Sequence, residues 1–240
     1  MVIPPAGHEP SRSLMGQRID LLELATGVRS WASPLGPPLP VTGTAHRRSA
    51  VLLLFGAAQS LDASLAEPTT LDLLLTRRSD ALRHHPGQIA FPGGGLDPGE
   101  SPVSAALREA QEETGLDPHG VEVLGALQDV PVVVSGNVVT PVLAWWASPS
   151  ALIPDGVETA EAFRVAVDAL LDPDNRVTVA FHRGEPDRRE GEGIIHRGPG
   201  FQVGPHLVWG FTAFVLDAVL DSLGWTRPWD PTRLVHLSPA

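Results

Sequence analysis

Residues 94–116 read GGLDPGESPVSAALREAQEETGL, and the decisive pattern of the chain lies there. Ser101-Pro102 opens a helix, with a serine hydroxyl able to cap a free N–H and a proline at the first helical position, where its missing donor costs nothing. The helix is expected to run to about Thr114, and Gly115 stands where a left-handed C-terminal cap belongs. Within it Glu109, Glu112 and Glu113 fall at i, i+3 and i+4, so a helix gathers all three carboxylates on one face. Like charges at this spacing cost roughly 0.2–0.5 kcal/mol per pair. A divalent cation turns that repulsion into attraction. Mg²⁺ in particular takes oxygen ligands and bridges carboxylates to substrate phosphates. Taken alone, Glu-x-x-Glu-Glu is an ordinary solvated face. Its surroundings set this one apart: a glycine-rich turn leads in, Glu100 precedes the helix, Arg108 lies beside the glutamates, and a glycine stop follows.

Immediately upstream stands LLTRRSDALRHHPGQIAFPGG, residues 74–94. It reads as a strand that ends in a cationic cluster, Arg77, Arg78 and Arg83 with His84 and His85 beside it. All 17 cationic Lys/Arg positions of the chain are arginine, so any direct phosphate contact by a cationic side chain uses Arg or His. Arginine suits that task because its planar fork binds phosphate oxygens in pairs. The bland alternative is a surface strand end with paired arginines.

The spacing Gly94-x5-Glu100-x7-Arg108-Glu109-Ala110-Gln111-Glu112-Glu113-Thr114-Gly115-Leu116 resembles the Nudix box, G-x5-E-x7-R-E-U-x-E-E-x-G-U with U a bulky aliphatic residue. Every fixed letter is met, and Ala110 alone departs, being smaller than the usual Ile, Leu or Val. The resemblance implies an α/β fold, an α/β/α sandwich with a mixed sheet and a loop-helix-loop catalytic motif. It implies hydrolysis of a nucleoside diphosphate linked to another group, with Mg²⁺ or Mn²⁺ held by Glu109, Glu112, Glu113 and the carbonyl of Gly94. Glu100 is expected close to the metals, with Arg108 orienting a carboxylate. Glu109 is the first candidate for the base that takes a proton from water, or it serves as a ligand alone. The upstream segment resembles the signature of the CoA pyrophosphatase subfamily, L-L-T-x-R-[SA]-x3-R-x3-G-x3-F-P-G-G, through Leu74, Leu75, Thr76, Arg78, Ser79, Arg83, Gly87, Phe91, Pro92, Gly93 and Gly94. Members cleave CoA to 3′,5′-ADP and 4′-phosphopantetheine, so Arg77, Arg78 and Arg83 are candidates for binding substrate phosphates. Around Asp155-Gly156 the chain carries extra residues relative to the common family form, which leaves the role of Glu158 open. Rival readings are a Nudix hydrolase of ADP-ribose or a dinucleotide, and a noncatalytic nucleotide sensor. The sensor would be expected to have lost its carboxylates, which are present here.

Outward from this centre, residues 50–55, 71–76 and 88–91 read as short strands, and the triple glycine 93–95 as a break in regular structure. Strands are expected within 121–133 and 138–147, a partly helical stretch over 158–171, a strand at 176–181, an exposed loop over 183–200 and an amphipathic helix over 207–223. Residues 1–47 are taken as an N-terminal extension with a weak helix from 17 to 30 and a Pro-rich linker at 34–40, and residues 48–240 as the hydrolase domain. Trp145, Trp146 and Trp209 could stack on adenine, although core packing is the simpler reading. His182, His196 and His206 lack metal-ligand spacing, Ser101 and Ser104 lack a neighbouring base, and no Lys-Ser/Thr follows the glycines to make a P-loop.

Composition narrows the classes further. A net charge of -11 argues against nonspecific nucleic-acid binding, which depends on cations set against phosphates. With no cysteine there are no disulfides, zinc-thiolate sites or thiol nucleophiles. The first residues have no apolar core of a secretory signal and no segment is long and apolar enough to span a bilayer, so the expectation is a soluble cytoplasmic protein acting on a small molecule, with neither nucleic acid nor membrane as partner. A homodimer is kept as an option that the sequence does not fix.

Overall fold

The structure, a computed structural model, describes residues 13–35, 47–58, 70–132, 136–183 and 194–237. Strand β1 (Arg47–Ala57) is the spine of the larger sheet. Its apolar run alternates between two cores, as a period of two demands. Ala50, Leu52 and Leu54 face one side, and Leu53 and Phe55 face the other. The next strand, β2 (Leu71–Arg78), alternates in the same way, with Leu74 on the first side and Leu73 and Leu75 on the second.

β1 and β2 pair only over residues 55–57 and 71–73, then diverge. The segment after β2 fills the gap. β3 (Ile89–Ala90) pairs with β2, Pro92 accepts the Leu52 N–H at 2.8 Å, and β4 (Gly93–Gly95) pairs with β1. The triple glycine was expected to break regular structure. It is instead a short strand, because β1 offers an open edge there and glycine alone fits so close to it. A β-carbon on Gly93 would lie 2.3 Å from the Ala50 carbonyl oxygen and 2.7 Å from Val51 Cα.

Helix α2 (Pro102–Thr114) follows, bounded as its caps predict: Ser101 Oγ accepts the Ser104 N–H, and Gly115 takes φ 68°. Ala105, Ala106 and Ala110 lie fully buried against β1. The small Ala110 therefore lets the helix sit close to the sheet. β5 (Val121–Ala126), β6 (Val130–Val132) and β7 (Asn137–Trp146) complete that side of the sheet, β7 running parallel to β1 and the others antiparallel to β7. Among the described residues eight strands form this sheet, in the order β3-β2-β1-β7-β5 with side pairings.

The sequence of 158–171 suggests a partly helical stretch. Its first part is instead β8 (Thr159–Ala166), paired along β2, and only α3 (Val167–Leu171) is helical. Glu, Ala and Arg favour helix, but the open edge of β2 outweighs local propensity. β9 (Arg176–Arg183), β10 (Ile194–Val203), β11 (His206–Val208) and the terminal β12 (Leu234–Leu237) form a second sheet of order β11-β10-β9-β12. The loop expected over 183–200 is corrected in part, since 194–200 pairs with β9, while 184–193 lies outside the described residues. The last helix, α4 (Gly210–Ser222), begins later than expected because 206–208 is strand. It is less amphipathic than expected too: Thr212, Ala213, Val215, Leu216, Val219 and Leu220 are all buried.

α1 (Leu14–Ala25), α3, α4 and the second sheet share one core with the β1 face bearing Leu53 and Phe55, while α2 covers the opposite face. A mixed sheet thus lies between helical layers, as the sequence suggested. Most of the Pro-rich stretch falls outside the described residues, as do residues 1–12. Trp146 is buried in the core over Arg164, and no helix is long and apolar enough to cross a membrane among the described residues.

Candidate active site

α2 brings its glutamates into a graded setting. The Glu112 side chain is 60% exposed, that of Glu109 19%, and Glu113 as a residue only 6%. Glu113 reaches under the chain and accepts the Gly93 N–H at 3.1 Å. Glu109 lies against Gly94 so closely that a β-carbon there would sit 2.4 Å from its carboxyl carbon and 2.5 Å from each oxygen. Glycine at 94 is thus what lets the strand and the Glu109 carboxylate share this space.

Arg108 ties the group together. Its Nε and Nη2 donate to the two Glu100 oxygens at 3.0 and 2.9 Å, and Nη2 also donates to the Gly95 carbonyl at 3.0 Å. Nη1 donates to Glu109 at 3.0 Å and to Glu112 at 3.2 Å. The Glu100 carboxyl is held below its usual range by those Arg108 bonds and by the Asp97 N–H. Arg108 is held above its own range, chiefly by Glu100.

The deeper carboxylates shift the other way. Burial pushes Glu109 up, against the pull of Arg108 and with the charges of Glu112 and Glu158 adding to the rise. Burial likewise pushes Glu113 up to about 7; the Gly93 N–H and the charge of Arg78 oppose the rise, and Glu109 and Glu158 add to it. A carboxyl that binds its proton more tightly when folded loses stability for the protein as pH rises. In the metal-free protein that contribution is complete below about 4.5 and is lost by about 7. The size is roughly 3 kcal/mol at 1.36 kcal/mol per unit. Thermal unfolding in chelator should therefore show a midpoint that falls across this window, and Glu113→Gln should flatten the fall. A midpoint rising with pH through the same window would contradict the burial argument.

The cationic cluster divides. Arg78, at an even position of β2, shares the face of Leu74 and acts on Glu113, and its buried Nε has no hydrogen-bond partner among the described residues. Arg77 points to the opposite face and pairs with Asp80 at 2.9 Å and Glu161 at 3.3 Å. Arg83 is exposed on the loop between β2 and β3. Period two in the strand was the signal that adjacent arginines must part.

Gly93 and Asp155 stand out in the sequence only as a motif glycine and a site of extra residues, and the structure gives each a role. Gly93 supplies the N–H that receives Glu113. Asp155 accepts the N–H groups of Val157, Glu158 and Thr159 at 2.8–3.2 Å, while its own N–H donates to the Glu113 carbonyl at 3.2 Å. Ser79 N–H donates to the Glu158 carbonyl at 2.8 Å, so the loop carrying Glu158 is fastened both to α2 and to the end of β2. An aspartate followed by glycine is a turn signal, and the turn it makes is what places Glu158.

A family model described as NUDIX domain matches residues 46–182, more than half of the chain. The chain belongs to the Nudix hydrolase family. An uncharacterized Nudix hydrolase NudL of Photorhabdus laumondii subsp. laumondii is 34% identical over 205 residues, covering 85% of this chain and 99% of that relative. A second NudL, of Pectobacterium atrosepticum, is 40% identical over 148 residues, covering 61% and 72%. The crystal structure of a Nudix hydrolase from M. smegmatis, RenU, is similar at TM-score 0.42 and 28% identity, over 52% of this chain and 73% of that one.

Nudix hydrolases generally use divalent metal ions, and the residues of this Nudix hydrolase fit one. Among the described residues no three acidic or histidine side chains are gathered closely enough to hold a metal ion as they stand, and Arg108 donates to both Glu109 and Glu112. Mg²⁺ needs no such cage: it keeps waters and takes one or two carboxylates together with substrate phosphates. The donors are hard oxygens, the Gly94 side has no β-carbon to block approach, and Glu109, Glu113 and Glu158 repel one another without a cation.

Proposed function

We propose that this chain hydrolyses the diphosphate of coenzyme A or a CoA derivative, giving 3′,5′-ADP and 4′-phosphopantetheine or its acyl form, with Mg²⁺ or Mn²⁺ held by Glu109, Glu112, Glu113 and the Gly94 carbonyl. The observation that carries the reading is the continuity of two motifs. The arginine-bearing signature ends on the same Gly93-Gly94 segment of β4 that meets Glu113 and Glu109, so the strand end and the carboxylate helix share one site. A distal carboxylate, Glu158, joins the ligand candidates because its charge acts on both Glu109 and Glu113.

Bound divalent cations would neutralise the diphosphate and acidify the attacking water. Glu109 takes the proton of that water. Its partial burial raises its affinity for a proton toward the working range, which suits a general base. A new bond forms from the water oxygen to one phosphorus as the bond from that phosphorus to the bridging oxygen breaks, and the bridging oxygen leaves with the other phosphate. Arg108 holds Glu109 and Glu112 in place and is itself fixed by Glu100. Arg78 and Arg83 bind substrate phosphates, Arg83 taking the 3′-phosphate.

Mass spectrometry of the products formed from CoA with Mg²⁺ or Mn²⁺ tests the reading. Release of 3′,5′-ADP with 4′-phosphopantetheine is expected. Fast turnover of ADP-ribose or NADH with CoA untouched would overturn the substrate assignment and leave the diphosphate chemistry standing.

A further inference from the structure

In the sequence Arg77 is a candidate phosphate ligand beside Arg78 and Arg83, yet its guanidinium is already taken. Nη1 and Nη2 donate to Asp80 Oδ2 at 3.1 and 2.9 Å, and Nε lies 3.3 Å from Glu161 Oε1. The other Glu161 oxygen lies 3.5 Å from Nε2 of His206, whose ring stacks on Phe163 at 4.5 Å. A chain of contacts thus runs from the loop after β2 through β8 to β11 of the second sheet.

The loop itself is tightly shaped. Arg78 N–H donates to the Gln88 carbonyl at 3.0 Å and closes its base. Asp80 Oδ1 lies where a Gly87 side chain would begin, 2.8 Å from the position of its β-carbon, and Gly87 has φ 66°. His85 also adopts a left-handed conformation, φ 58°, which non-glycine residues rarely do unless the surroundings impose it. Between these anchors Arg83, His84 and His85 are consecutive and exposed.

We infer that Arg77 is a positioning residue: through Asp80, packed against Gly87, it holds the 79–88 loop so that Arg83 meets a second phosphate group of the substrate, a phosphomonoester separate from the diphosphate that is cleaved. The inference rests on the reading that this chain cleaves a diphosphate. A preshaped loop spares the ordering cost that binding would otherwise carry, so it raises affinity for a substrate bearing the extra group. The planar fork of Arg83 matches a terminal phosphate. Arg77, neutralised by two carboxylates, does not bind phosphate itself.

Three variants disturb the clasp by different chemistry: Arg77→Ala, Asp80→Ala and Gly87→Ala. Steady-state kinetics on two substrate pairs reads the outcome, CoA against 3′-dephospho-CoA and NADPH against NADH, each pair differing by one phosphomonoester. Each variant should lower the preference for the phosphorylated member about tenfold through KM, with kcat on the unphosphorylated member unchanged. Arg77→Ala combined with Asp80→Ala should be no worse than either alone, and Arg83→Ala should give the same loss. The expected fold-change corresponds to about 1.4 kcal/mol. A wild-type enzyme that does not prefer the phosphorylated member of the pair it turns over, variants that leave the preference unchanged, or variants that lower both members equally would overturn the inference. Which pair is turned over reports separately on the CoA reading, so the two can fail independently.

Discussion

Glu109→Gln should lower kcat/KM by about 1,000-fold, or about 4 kcal/mol of transition-state stabilisation, with the fold intact. The substitution keeps the shape of the side chain and removes one negative charge, the charge that the proposed roles of cation ligand and proton acceptor depend on. Arg108 retains its two bonds to Glu100 and its bond to Glu112, so the local framework should survive. Glu109 is also the carboxylate pressed against Gly94. Single-turnover rates measure the loss, and unfolding curves check the fold. A variant within threefold of wild type would remove Glu109 from the chemistry.

Gly94→Ala and Gly93→Ala should separate activity from stability, although the two glycines are adjacent. At Gly94 the three atoms nearest the new methyl group all belong to the Glu109 carboxylate, at 2.4–2.5 Å. That side chain can swing aside at small cost to the fold, but the carboxylate then leaves its place. A displacement near 1 Å at a reacting group costs about 100-fold in rate. At Gly93 the methyl group meets backbone, the Ala50 carbonyl at 2.3 Å and Val51 Cα at 2.7 Å, and backbone in the central strand cannot move aside. Gly93→Ala should therefore cost about 2–3 kcal/mol of stability. Denaturant melts and kcat for the pair read both effects. Equal loss of stability in the two variants would contradict this division.

The carboxylate helix was legible because its signals are local. Ser101, Pro102 and Gly115 fix where it starts and stops, and the spacing of Glu109, Glu112 and Glu113 follows from helical period alone. The short apolar run from Ala50 to Phe55 was likewise enough for a buried strand, and the structure divides it between two cores. What stayed hidden depends on partners distant in sequence. Gly93–Gly95 carries no strand propensity, and becomes strand because β1 and β2 diverge beside it. Thr159–Ala166 reads as helix former and is captured by the edge of β2. The second sheet was missed because residues 194–200 look like a charged, glycine-containing loop until β9 pairs with them. Within the site, the three arginines looked equivalent as a cluster. Strand alternation and the Asp80 contact divide them, and only the position of Asp80 required the fold.

Isothermal titration of Mn²⁺ into the wild-type protein, Glu109→Gln and Glu113→Gln, with folding verified for each, bears most directly on the claim that this helix face binds a divalent ion. The account predicts saturable binding to the wild type and affinity at least tenfold weaker in both variants. Equal Mn²⁺ binding in all three proteins would contradict it.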